Sequence, residues 1–178
     1  MNKVWITAVS LILAVFAMSA WSAKLSLNNQ ANYLFIQQAK MGELIATTNQ
    51  GAYQLVLRGV HPYVMYFADR PLREAGLIST QEFYQQWARM DGFNKDAPNV
   101  GLVGVKLHNG NGKRQDSPIA LTLSNPQYNA KKNTVIYSAV VLSTGKATLP
   151  KQLAFATPVL FFDSGFDPHH CSTPGCLG

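Results

Sequence analysis

Tyr53-Gln-Leu-Val-Leu-Arg58 alternates along its length: Tyr53, Leu55 and Leu57 share one face, while Gln54, Val56 and Arg58 take the other. A period of two is the mark of a strand that presses one face on a core. Gly59-Val-His-Pro62 follows as a turn, and Tyr63-Val-Met-Tyr-Phe67 resumes the same β-type composition. Two such runs only a few residues apart predict a hairpin.

Toward the N-terminus, Tyr33-Leu-Phe-Ile-Gln-Gln-Ala-Lys40 reads as the opening strand. Gly42 reads as a turn into Glu43 to Thr48, and Asn49-Gln-Gly51 as a second turn. On the other side, Ser79-Thr-Gln-Glu82 has capping-box spacing, so the Ser79 hydroxyl can accept from the Glu82 amide. Phe83, Trp87 and Met90 then fall at i, i+4 and i+7, an apolar stripe for docking on a sheet, and Asp91-Gly92 ends the helix. Phe83 and Trp87 also suggest an aromatic ligand platform, but helical spacing favours core packing.

Past Pro98 come Val100 to His108, Ile119 to Ser124, Asn133 to Ser143 and Leu153 to Phe162. Asn109-Gly-Asn-Gly112 suits a hairpin turn, and Asn125-Pro126 and Gly145 to Pro150 separate the later strands. No period of roughly 20 to 50 residues repeats, which excludes solenoids and propellers. The expected fold is mainly β: an antiparallel β-sandwich or partly open barrel with one short inserted helix at about 79–90.

The N-terminus sets the compartment. Lys3 gives a positive start, Val4 to Met18 is apolar or small with no charge, and Ala20-Trp21-Ser22 supplies small residues for a peptidase. Residues 1–22 therefore read as a signal peptide cleaved before Ala23, leaving about 156 residues. The run falls short of the roughly 20 apolar residues of a span, so no stable membrane span is expected after cleavage. Residues 23–163 read as a single β-rich domain and 164–178 as a C-terminal tail.

Charged residues make up only 13% of the chain, half the usual share, as suits strands with one buried face. The net charge of +6 is spread out, with no Arg-rich groove carrying interleaved aromatics, which argues against nucleic acid. An anionic envelope surface is the natural partner for a basic excess, beside the plainer reading of a solvated surface.

Two clusters stand out. Tyr66-Phe-Ala-Asp69-Arg70-Pro71-Leu-Arg73 gathers charge at a strand end. Pro71 can open one helical turn with Gly76 as its stop. Arg70 and Arg73 can grip a carboxylate or phosphate, while Asp69 can instead neutralise them in a self-satisfied corner. The second is the tail, Asp167-Pro-His169-His170-Cys171-Ser-Thr-Pro-Gly-Cys176. Its His169, His170, Cys171 and Cys176 invite a zinc reading, but three consecutive ligands splay apart. In an exported chain Cys171 and Cys176 are expected to form a disulfide, whose short ring restrains the unfolded chain by roughly 2 kcal/mol at most.

The run from Tyr33 through Asp163, with Tyr66-Phe-x-Asp-Arg-Pro-x-Arg73, Asn125-Pro126-x-Tyr128 and Phe161-Phe162-Asp163, resembles a group of uncharacterised secreted bacterial proteins. The resemblance implies an exported bacterial setting and brings no reaction, ligand or catalytic residue.

Catalytic signatures are sparse: the chain has no Gly-x-Ser-x-Gly, His-Glu-x-x-His or glycine-rich phosphate loop. A triad of His61 or His108 with Asp69 or Asp116 is the remaining route to a hydrolase. The expectation is thus a periplasmic or secreted, non-catalytic binding or structural module without a cofactor, whose partner is a protein or an anionic envelope component. A metal- or redox-active protein working through the tail is the alternative, and an unrecognised hydrolase the second.

Overall fold

The computed structural model describes residues 32–49, 51–70, 72–89, 92–107, 118–143, 149–163 and 167–168. Eight strands and one helix occur among them: β1 (Tyr33–Ala46), β2 (Ala52–Val60), β3 (Tyr63–Ala68), β4 (Glu74–Ser79), α1 (Thr80–Trp87), β5 (Asn99–Leu107), β6 (Ile119–Asn129), β7 (Thr134–Ser143) and β8 (Gln152–Phe162). The order β2-β7-β6-β5-β8-β1 closes through a β1–β2 pairing, so six antiparallel strands form a barrel. β3 and β4 extend from β1 as a ribbon.

This corrects the sandwich expectation. β1 bonds β8 along one edge and β2 along the other, and the circuit returns, so no second sheet separates from the first. Alternating strands look the same in sequence whether the sheet closes or faces another, because both bury one face.

The β2–β3 hairpin is also corrected. Both strands pair antiparallel with the same edge of β1, β3 along Tyr33–Ile36 and β2 along Ala39–Ala46. They run one after the other in the same direction. A strand of 14 residues is long enough to hold both. Gly59, at φ 64, offsets the chain without reversing it, and the His61 amide donates to the Gln38 carbonyl at 2.8 Å. Reversal comes one strand later, where β3 and β4 pair over six positions. The single turn expected after β3 closes through one i→i+4 bond, from the Arg73 amide to the Asp69 carbonyl, but Gly76 is not its stop: it lies inside β4.

Gly42 likewise does not turn the chain; β1 runs straight through it. A Cβ there would stand 2.9 Å from Pro158 Cγ and 3.1 Å from Leu57 Cδ2, so the site requires a bare backbone. Asn125-Pro126 is not a break between strands. It is a bulge inside β6, with Asn125 at φ 50 and a register shift between Ser124 and Gln127. The turn at Asn49 to Gly51 is present, the Ala52 amide donating to the Asn49 carbonyl at 3.1 Å.

α1 begins as its sequence dictates, with Ser79 as N-cap and its hydroxyl accepting from the Glu82 amide at 3.2 Å. Phe83 and Trp87 face the core, fully buried, where each contributes on the order of 2–3 kcal/mol. They meet Phe35, Phe93 and Phe162, with ring centroids 4.7 Å apart for Trp87–Phe93 and 5.6 Å for Phe83–Phe162.

Candidate functional site

The site is built from the outward face of the ribbon. In β3, Val64, Tyr66 and Ala68 are buried and Tyr63, Met65 and Phe67 are exposed, so the strand is apolar on both faces. Cross-strand register then aligns Leu77, Met65, Ile36 and Phe161 in one row over β4, β3, β1 and β8. Side chains paired this way touch along the same face of the sheet. Leu77 is 61% exposed, and Met65 and Phe161 are each 46% exposed.

Together with Val159, Gln38, His61 and Tyr63, this row lines a groove of about 330 Å³. The Tyr63 amide lies 3.3 Å from His61 Nδ1, which holds the imidazole in the groove lining. Leu72, Arg70 and Arg73 are exposed in the loop that joins β3 to β4.

Asp69, Arg70 and Arg73 all lie in that β3–β4 loop and are exposed. The loop is closed by its backbone, the Arg73 amide donating to the Asp69 carbonyl at 3.1 Å with Arg73 at φ 51. Among the described residues the one ion pair is Arg58–Glu43 at 3.3 Å, so Asp69 does not neutralise its arginines in the expected corner. His61 and Asp69 flank β3 at opposite ends; at about 3.3 Å per residue the strand holds them roughly 20 Å apart, too far for a triad. His108, Asp116, His169, His170, Cys171 and Cys176 lie outside the described residues, and with them the disulfide and metal readings. Among the described residues no group of three His, Cys, Asp or Glu side chains could hold a metal ion.

Two polar constellations went unnoticed in the sequence. At the base of the ribbon, the Tyr33 and Tyr66 hydroxyls donate to the two oxygens of Glu74 at 3.3 and 3.4 Å. Burial, with the Asp167 and Glu74 charges, pushes Tyr33 up to about 12, and burial with Glu74 also raises Tyr66. Inside the barrel, Gln37 Nε2 donates to Tyr84 Oη at 2.7 Å, and Tyr137 Oη donates to Gln37 Oε1 at 2.8 Å. The Tyr84 hydroxyl, 2.7 Å from that of Tyr137, completes a ring. Burial raises both phenols, so neither ionises near neutrality. The partners come from β1, α1 and β7, and nothing local in the sequence marks them as neighbours.

The groove did leave a trace. Phe161 and Phe162 are consecutive in a strand, so one must point outward, and the unbroken apolar run Tyr63 to Phe67 carries the same message.

Compared with models of known families, with curated proteins and with solved structures, the chain matches none. Among the described residues no helix is long and apolar enough to cross a membrane.

Proposed function

We propose that this chain is an exported, non-catalytic binding module of the bacterial envelope that docks a partner protein on the apolar groove of β4, β3, β1 and β8. The observation that carries the reading is the in-register row Leu77–Met65–Ile36–Phe161, with Leu77, Met65 and Phe161 exposed and Ile36 half-buried between them, where a strand ordinarily shows polar side chains. Met and aromatic side chains are the types enriched at protein interfaces. The groove is only partly enclosed, whereas a small-molecule site encloses most of its ligand. Arg70 and Arg73, exposed in the loop that joins β3 to β4, favour a partner that carries acidic residues. The sequence of residues 1–22, which reads as a signal peptide, and the resemblance to secreted bacterial proteins are what support a periplasmic or secreted setting.

The test places a photo-crosslinking residue at Met65 or Phe161 in cells that express the protein, with Gln127 on β6 as control site. A single heterologous product formed from Met65 and Phe161, absent from Gln127 and suppressed by Leu77→Asp, is the expected result. Equal labelling from all three positions would overturn the reading.

A further inference from the structure

We infer that the outer edge of β4 pairs antiparallel with β4 of a second copy, joining two barrels about a two-fold axis. β4 stands last in the strand order, and among the described residues no strand pairs with its outer edge. Edge strands normally carry a lysine, a proline or a bulge that blocks such pairing. β4 carries none of these: Glu74–Ser79 contains no Lys, Arg or Pro, and its six pairs with β3 run without a shift in register. Glu74, the one charged residue in the strand, is half-buried and accepts from Tyr33 and Tyr66 within its own sheet. Outward, β4 shows Ala75 and Leu77.

Charge specifies the second copy as the occupant and fixes the direction. Arg73 precedes the strand, and Glu82 follows it in the first turn of α1. No ion pair engages either side chain among the described residues. Antiparallel pairing with Leu77 opposite Leu77 sets Ala75 opposite Ser79 and carries Arg73 of each copy alongside Glu82 of the other. Paired residues then share a face, as an antiparallel ladder demands. The contact is isologous, so the Arg73–Glu82 approach occurs twice and the assembly closes at two copies. Parallel pairing would set Arg73 against Arg73 instead. The two apolar rows also meet at Leu77 into one continuous face.

Self-association is read on the purified chain alone, by sedimentation equilibrium, so it stands or falls separately from the partner docking proposed above. The wild type should sediment as a dimer, and Leu77→Lys should weaken it by about tenfold or more, since it sets two like charges together at the axis. Leu142→Lys, at another exposed apolar position, on β7, should leave the affinity unchanged. Arg73→Glu and Glu82→Lys should each weaken the dimer, and the two together should restore it. Circular dichroism and the melting midpoint check that each variant folds. A wild type that stays monomeric up to about 100 µM overturns the proposal, as does a Leu77→Lys dimer of unchanged affinity. A charge swap that restores nothing rules out the antiparallel register.

Discussion

Tyr137→Phe removes one oxygen from the buried ring of Gln37, Tyr84 and Tyr137, and the structure states what that leaves behind. A carboxamide oxygen has no hydrogen, so Tyr137 is the donor toward Gln37 Oε1 at 2.8 Å. Tyr84 must then donate to Tyr137, and Gln37 Nε2 donates to Tyr84. Gln37 and Tyr137 are fully buried, and although part of the Tyr84 ring is exposed, its hydroxyl lies inside with theirs. The substitution therefore strips Gln37 Oε1 of its donor and the Tyr84 hydroxyl of its acceptor. Each orphaned buried group costs about 1–3 kcal/mol, so the loss should be on the order of 3 kcal/mol. Replacing the whole ring, as Gln37→Leu with Tyr84→Phe and Tyr137→Phe, strands nothing and should cost within about 1 kcal/mol. Urea denaturation of the single and combined variants measures both quantities. A Tyr137→Phe chain within about 0.5 kcal/mol of the wild type would refute the ring as a coupled unit, and so would a triple variant whose loss equals the sum of the singles.

Gly42→Ala should cost about 1–3 kcal/mol, because its Cβ would stand 2.9 Å from Pro158; adding Pro158→Ala should recover part of the loss in the same denaturation assay. Thr157 holds φ 47, a left-handed conformation that burdens a β-branched residue, so Thr157→Gly should raise the melting midpoint by the equivalent of about 0.5–1 kcal/mol. A fall in the midpoint would show that the position is not strained. Stability should also decline in alkali. Tyr33, Tyr84 and Tyr137 ionise later in the folded chain than the ordinary 10.0. Between 10 and the folded values the folded state holds more protons than the unfolded one, so the stabilisation is complete below pH 10 and is lost as pH rises above it. Tyr33→Phe should flatten that decline between pH 10 and 12, as read from denaturation midpoints across the range.

Local patterns made the elements legible and left their arrangement open. The Ser79 to Glu82 cap works because its hydrogen bond spans three residues, and the Phe83–Trp87 stripe follows from helical geometry alone. Period-two alternation likewise identified β2, and strand-like runs between turn signals identified β5, β7 and β8 within a few residues. Gly42 and Asn125-Pro126 misled because glycine and proline serve turns and also close approaches or bulges; the deciding neighbours, Pro158 for Gly42 and β7 for the bulge, lie far along the chain. β4 hid behind Pro71 and Gly76, its strand character resting on the β3 partner.

The sequence by itself determined a β-rich chain, its one capped helix, and the apolar excess of Tyr63 to Phe67 and Phe161-Phe162. Tertiary structure decided that β2 and β3 share an edge of β1, and that six strands close instead of stacking as two sheets. It also decided that Leu77, Met65, Ile36 and Phe161 fall into one row, exposed except at the half-buried Ile36. The reason is physical: alternation reports which face a side chain takes, whereas strand order and register follow from backbone bonds between residues far apart in the chain, as when Phe35 pairs with Phe162, which no local pattern encodes.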